Sequence, residues 1–374
     1  MCWLMLFAGK TLLGPLVVCI VGLGMIEVDG SFGEGGGQLL RYSIALAALI
    51  GSPLRVYNIR AKRDPPGLRP QHLTALRFIA ELVSGEVEGL RVGSTEIVFR
   101  PRERAPRPGE YSVDIGTAGS VTLVLQAALP VLLYSRGKVS LRITGGTSVR
   151  WSPPYRYFER VLLALISRFG AQVSARLVRE GFYPEGGGIV NVETLPSYPL
   201  NPINVSKPSR PEAVQGVSYV GNLPCHIAER QQDSARRVLE SAGVKVGKID
   251  VVCNQPAIGK GTGIVLWTRM GDGIIGSDSL GEKGKPAEEV GREAAEKLLK
   301  VVEKGSPVDP HAGDNLVIYM SLAQGESSIL VSEMTSHTET ALELCRQILV
   351  TTYTRQETPN GVLIRVKGIG LAPQ

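Results

Sequence analysis

With 374 residues, 43% apolar content and only 20% charged residues, the chain is too hydrophobic for a disordered polyelectrolyte and long enough for one large or two unequal domains. Its 41 basic residues against 35 acidic ones give a formal net charge of +6 and a pI near 9.0, a balance that suits a polyanionic partner without requiring one. Five cysteines (Cys2, Cys19, Cys225, Cys253 and Cys345) are scattered, odd in number and without CxxC or Cys/His spacing, which excludes a zinc cluster of that kind and reads as reduced thiols in a cytosolic protein.

The first 24 residues, MCWLMLFAGKTLLGPLVVCIVGLG, are mostly apolar. They lack a basic leading region and a small-residue cleavage site, and Lys10 interrupts the run, which argues against a signal peptide or an anchor. Residues 1–24 are expected to be an overextended, non-native segment with Met25 as the true start, a crude anchor being the alternative.

From Met25 the pattern alternates strands and helices. IEVDG (26–30) reads as a strand, QLLRYSIALAALIG (38–51) as a helix, PLRVYNI (53–59) as a strand and QHLTALRFIAELVSG (71–85) as a helix. EVEGLRVG (86–93) and TEIVFRP (95–101) read as paired strands, giving the order βαβαββ. That order recurs from EYSVDIG (110–116) to GIVNVETL, and GEGGGQ (33–38) is echoed by PEGGGI (184–189). The stretch 195–212 is dense in Pro, Ser and Asn and reads as a linker. A compact α/β set follows, with helices near 227–243 and 287–304. Segments 315–323, 327–334, 340–353 and 362–369 then resemble the remainder of a third unit. The fold class expected is α+β: three βαβαββ units with an inserted smaller α/β domain, divided as 25–201, 202–304 and 305–374.

Three loops have the composition to bind phosphate. GSFGEGGGQLLR leads a strand into a helix through glycines whose amides can approach an anion, with Gln38 and Arg41 one turn apart. Glu34 there opposes a phosphate unless a divalent cation lies between them; the alternative is a tight turn with a solvated Glu. IRAKRDPPGLRPQH (59–72) carries Arg60, Lys62, Arg63 and Arg69, then Gln71 and His72, suited to bidentate clamping of phosphate or to surface solubility. DIGTAGSVTLVLQ (114–126) is another strand-to-helix turn, reaching Gln126, which simple capping by Thr117 and Ser120 also explains. Of the four histidines, His226 reads as structural and His72 stands beside the arginines. His311 sits in a polar turn with Asp314 and Asn315, and His337 lies among the hydroxyls of Thr335, Ser336, Thr338 and Thr340. Residue pattern alone does not single one out. The sequence has no GxxxxGK[ST] loop, GxSxG elbow, HExxH or kinase signature, so bound ATP would be held without a Walker motif.

GSFGEGGGQLLR, the IRAKR and PGLRPQHLTA runs, GTAGSVTLVLQ, ITGGT followed by PP, and GFYPEGGG together resemble the RNA 3'-terminal phosphate cyclase family, in family order over most of the chain. The resemblance implies three units similar to the C-terminal domain of translation initiation factor 3 plus an inserted domain. It implies that His337 attacks the α-phosphate of ATP, that AMP passes to an RNA 3'-phosphate, and that the 2'-hydroxyl closes a 2',3'-cyclic phosphate. It carries Glu34 over as ligand of Mg2+ or Mn2+. Gln38, Arg41, Arg60, Arg63, Gln71 and His72 become the lining of the triphosphate and RNA-phosphate site. Gln126 and the turn His311, Ala312, Gly313, Asp314, Asn315 would hold the nucleotide, with Pro153 near the adenine. RNA 3'-phosphate ends and ATP are the partners implied, with no membrane, a cytoplasmic location, and an oligomeric state left open with a homodimer as one option. The chain departs from the family pattern at Ala341, where Asn is usual after Thr340, at Glu180, where a basic residue often precedes GFYP, and at His311, commonly an aromatic. A non-catalytic cyclase-like protein of ribosome assembly and an enolpyruvyl transferase are the alternative readings.

Overall fold

The computed structural model describes residues 17–19, 24–33 and 35–372. Most of the segment 1–24 therefore lies outside the described residues, but the backbone of β1 (Val17–Cys19) pairs antiparallel with β2 (Ile26–Asp29). In β2 the buried Ile26 and Val28 alternate with half-buried Glu27 and Asp29, the period-2 pattern of a strand with one face on the core. α1 (Gly37–Ile50) then crosses to β3 (Leu54–Tyr57), parallel to β2. After α2 (Pro70–Leu82), β4 (Glu86–Glu88) and β5 (Ile97–Arg100) complete a sheet ordered β1-β2-β3-β5-β4.

A second sheet follows. β6 (Gly109–Asp114) and β7 (Val139–Gly145) run parallel, linked by α3 (Val121–Leu132). A helix made of α4 (Tyr155–Tyr157), a π-helical turn (Phe158–Leu162) and α5 (Leu163–Ile166) leads to β8 (Val173–Arg179) and β9 (Gly188–Thr194), giving the order β6-β7-β9-β8.

Within the expected linker lies a short strand, β10 (Asn204–Val205). A third sheet is built from β11 (Val214–Gly221), β12 (Val246–Val252), β13 (Gly261–Met270) and β14 (Gly273–Leu280), in the order β12-β11-β13-β14. α6 (His226–Ser241) and α7 (Ala287–Lys304) pack on it. In α7 the buried Val290, Gly291, Ala294, Ala295, Leu298 and Val301 recur at helical spacing, and full burial of Leu298 alone is worth about 1.5–3 kcal/mol. Val290, Ala294, Ala295, Leu298 and Val301 join Leu239, Ile264, Leu266 and Ile275 in a core of their own. The last sheet, β10-β15-β17-β16, pairs β10 parallel with β15 (Glu326–Val331) and adds β16 (Thr352–Thr358) and β17 (Gly361–Lys367), with α8 (Pro310–Leu322) and α9 (Ser336–Leu349) against the main core.

The structure revises three expectations. β10 and β14 escaped the sequence pattern, the first because two residues carry no periodicity and the second because GIIGSDSL is rich in Gly and Ser. The polar turn around His311 is the first turn of α8, started by Pro310 and capped by Asp309, whose carboxylate accepts from Ala312 N at 2.9 Å. Cys225 and Cys253, 28 residues apart in sequence, are joined by a disulfide with 5.0 Å between Cα atoms, so those two are not reduced thiols. Cys345 is a free thiol whose pKa burial pushes up to about 12.

A buried polar joint ties the β11–β14 sheet to the rest. The Glu180 amide donates to Pro256 O at 2.8 Å, and its fully buried carboxylate accepts from the hydroxyls of Thr147 and Ser148. Arg156 Nε lies 3.4 Å from Glu180 Oε1, while the same guanidinium donates to Gln255 at 2.8 Å and sits 5.0 Å from the centre of the Tyr219 ring. Among the described residues, no helix is long and apolar enough to cross a membrane.

Candidate active site

The residues that converge at the head of α1 come from the two ends of the chain. Gly36 caps α1 without a side-chain hydrogen bond, which leaves first-turn amides facing an acceptor from elsewhere. Gly33 has φ of 58°, and a Cβ there would collide with the Thr340 hydroxyl, so glycine lets this loop close against α9.

In the first turn of α1, the buried Gln38 orders the site. Its Nε2 donates to the Asp314 carbonyl at 3.2 Å, and its Oε1 lies 2.8 Å from Nδ1 of the half-buried His337. A carbonyl only accepts, so the amide nitrogen must face Asp314 and the amide oxygen must face the imidazole. His337 Nδ1 therefore carries the proton, and the imidazole lone pair is on Nε2. His337 stands in the first turn of α9, capped by Thr335, whose hydroxyl accepts from Thr338 N at 3.0 Å.

Asp314, on α8, locks both helices together. Its carboxylate accepts from Thr335 at 2.5 Å and Thr338 at 2.6 Å, and its carbonyl also accepts from Tyr42 at 3.1 Å. Burial raises the Asp314 pKa, opposed by the two hydroxyls and by the nearby His337 and His311. Burial likewise pushes Tyr42 above its usual range, keeping the phenol a donor. The neighbouring Asn315 donates to His311 O at 2.7 Å, His311 itself is exposed, and Gly313 packs against Val331.

Beside this cluster, the buried His72 accepts from Arg69 N through Nδ1 at 3.1 Å, which puts its proton on Nε2. Burial, reinforced by Arg41, Arg60 and Arg69, lowers its pKa to about 3, so the ring is neutral at physiological pH and serves as a donor. A Cβ on Gly37 would strike that Nε2 and the Arg41 guanidinium, which places all three at one spot. Arg60 donates to Gly67 O at 3.1 Å and lines, with Arg69 and Gln71, one side of a cavity of 1470 Å³. Arg63 is exposed in the same loop, its amide donating to Arg60 O at 3.0 Å. Gln126 is buried in α3, one turn after Thr122, whose hydroxyl donates to Pro153 O at 2.7 Å. Glu34 lies outside the described residues, and among those described no group of three His, Cys, Asp or Glu side chains is placed to hold a metal ion.

The model of one family, described as RNA 3'-terminal phosphate cyclase, matches residues 32–354. The chain belongs to the RNA 3'-terminal phosphate cyclase family. Among similar proteins, the RNA 3'-terminal phosphate cyclase of Pyrobaculum neutrophilum is 45% identical over 92% of this chain and 99% of its own length. That of Desulfurococcus amylolyticus is 46% identical over 94% of this chain and 100% of its own. A relative of the same name, from Nitrosospira multiformis, is 44% identical over 92% and 96% respectively.

In this cyclase family member the structure draws Gln38, Asp314 and His337 into one hydrogen-bonded group and sets Arg41 and His72 next to it. Arg60 and Gln71 face the large cavity, whose lining does not include His337. Sequence reasoning missed Tyr42, and it noted the hydroxyls of Thr335 and Thr338 without seeing that they serve Asp314. The Asp-Pro pair at 309–310 was the available signal that a helix, not a turn, carries Asp314.

Proposed function

We propose that this chain converts RNA 3'-terminal phosphates to 2',3'-cyclic phosphates at the expense of ATP, working through an adenylyl group carried on His337. The observation that carries the reading is the Gln38 amide, which holds the proton on Nδ1 of His337 and leaves Nε2 nucleophilic.

In the first step the Nε2 lone pair attacks the α-phosphorus of ATP, an N–P bond forms, and the bond to the departing pyrophosphate breaks. Positive charge that develops on the imidazole is offset by the Gln38 carbonyl and the Asp314 carboxylate. An oxygen of the RNA 3'-phosphate then takes the adenylyl group, returning the electron pair to Nε2. Finally the 2'-hydroxyl oxygen attacks the phosphorus of the RNA 3'-phosphate, gives up its proton to solvent, and forms the second ester bond of the cyclic phosphate as the P–O bond to the adenylyl group breaks and AMP leaves. The uncapped α1 amides, Arg41 and neutral His72 are the donors placed to neutralise phosphate oxygens, with Arg60, Arg63 and Gln71 toward the RNA end and Gln126, Pro153 and the residues from His311 to Asn315 toward the nucleotide. Mg2+ or Mn2+ with Glu34 as ligand would shield the phosphate charge, and no step here depends on it.

The sheet orders support reading the first, second and last sheets as copies of one βαβαββ unit, with residues 202–304 as a domain inserted into the third. The poised imidazole favours an enzyme over a non-catalytic cyclase-like protein. Incubation with α-labelled ATP and a divalent cation tests the proposal: an acid-labile, alkali-stable label on the wild-type chain, absent from His337→Ala, is expected. A folded wild-type protein that takes no label overturns it.

A further inference from the structure

The large cavity reaches well beyond the groups used above. From Arg60, Arg69 and Gln71 it passes the 117–120 turn and the 148–151 turn and ends on the β11–β14 sheet and its helices. At 1470 Å³ it exceeds the roughly 300–1,000 Å³ of ordinary small-molecule sites. Of the seven Lys or Arg side chains on its lining, Arg150, Arg230 and Lys285 are ion-paired with Glu282, Glu288 and Glu293, and Arg60, Arg69, Lys260 and Lys283 still outnumber Asp64, so it favours an extended anion.

Two large aromatics line this cavity with their rings in solvent: Trp151 is 94% exposed and Tyr183 is 76% exposed. Trp151 also has φ of 60°, a left-handed conformation that Cβ sterics disfavour. The turn is pinned in place, since Ser152 donates to Val149 O at 3.0 Å and the amides of Thr147 and Ser148 both reach Gly181 O. A strained backbone that presents an indole to water recovers nothing from packing inside the chain, whereas a stacking ligand would recover it. Lys260 and Lys283 stand on the same cavity wall.

We propose that this groove holds the nucleotides preceding the RNA 3' end as a single strand, with bases stacked on Trp151 and Tyr183 and phosphates against Lys260 and Lys283. Unpaired bases offer faces to aromatics without regard to sequence, which a duplex end cannot do. The groove would make this a reader of single-stranded tails rather than of the terminal phosphate alone. The inference rests on the cyclase reading.

The test compares a 3'-phosphorylated dinucleotide with a 3'-phosphorylated ten-nucleotide RNA, using the full chain and measuring cyclisation and self-labelling by ATP separately. The wild type is expected to show a KM for the longer RNA lower by about 10-fold, from one or two stacked bases. Trp151→Ala should remove that advantage while its KM for the dinucleotide and its self-labelling stay unchanged, and Trp151→Phe should restore most of it. Lys260→Glu with Lys283→Glu should weaken the longer RNA and flatten its salt dependence by about 1.4 in log–log slope, for two single-strand phosphate contacts. Equal KM values for both RNAs in the wild type, an unaffected Trp151→Ala variant, or loss of self-labelling in that variant would each overturn the groove. A wild type that cyclises neither RNA defeats the cyclase reading instead.

Discussion

Gln38 on α1 and His337 on α9, separated by 299 positions in the chain, meet at 2.8 Å, and the direction of that hydrogen bond is fixed by Asp314 on α8. Replacing Gln38 by Leu removes the acceptor that selects the Nδ1–H tautomer. Self-labelling by α-labelled ATP in single-turnover measurements should slow by at least about 10-fold, the 1.4 kcal/mol that one lost hydrogen bond of this kind represents. Gln38→Glu keeps an acceptor and adds a charge, so its residual labelling should peak at higher pH than that of the wild type.

Gly37 has no room for a side chain, because a Cβ would meet His72 Nε2 and Arg41 together. Gly37→Ala must push both groups off the head of α1. Labelling is expected to fall on the order of 100-fold, the usual consequence of displacing binding groups by about 1 Å. Thermal unfolding should move little by comparison, because alanine is itself a good helix former at this first position.

The depressed pKa of His72, about 3 against 6.5 for a free imidazole, has a definite sign in stability. Below pH 6.5 the unfolded chain binds a proton there that the folded chain refuses, so this contribution is complete above pH 6.5 and is lost as pH falls toward 3. The loss is about 1.4 kcal/mol per pH unit. Urea unfolding at pH 7.5 and pH 5 should show the wild type losing about 2 kcal/mol more than His72→Gln over that interval. Equal losses in the two proteins would contradict the assignment.

Arg156 and Glu180 form a buried ion pair at the joint with the β11–β14 sheet. Burial raises the Glu180 pKa, and Arg156 opposes that rise. Arg156→Met should cost about 3–5 kcal/mol in urea unfolding at pH 8, since it strands a buried carboxylate. Because Glu180 then becomes easier to protonate, the cost should shrink toward pH 5. Arg156→Met combined with Glu180→Gln should recover much of the lost stability at pH 8.

Much of this organisation is written in the sequence through periodicity. α7 spans the residues that the apolar spacing marks, because seven buried positions on one face leave no other register. β10 was invisible because two residues in a Pro-rich run have no pattern, and its pairing depends on β15, far along the chain. The Cys225–Cys253 bridge was unreadable for a related reason: spacing does not tell that α6 starts where β12 ends. In the candidate site, glycines and arginines give single loops a composition suited to phosphate, yet the contact between α1 and α9 that distinguishes His337 is encoded in no local pattern. Glu180, a departure from the family pattern where a basic residue often stands, is fully buried, and its partners Thr147, Ser148 and Arg156 come from another segment.

The parallel pairing of β10 with β15 brackets the whole β11–β14 sheet, so Val205 waits for Ile329 until everything between them has been synthesised. A ribosome would therefore release the first two sheets early, with α1 among them, but without α9, which supplies both the imidazole and the surface against which the glycine loop closes. Closing so long a loop is slow and comes late. On the proposed role of His337, reactivity toward nucleotide belongs to the finished chain alone, and a nascent or truncated product would be unable to consume ATP while still tethered or incomplete.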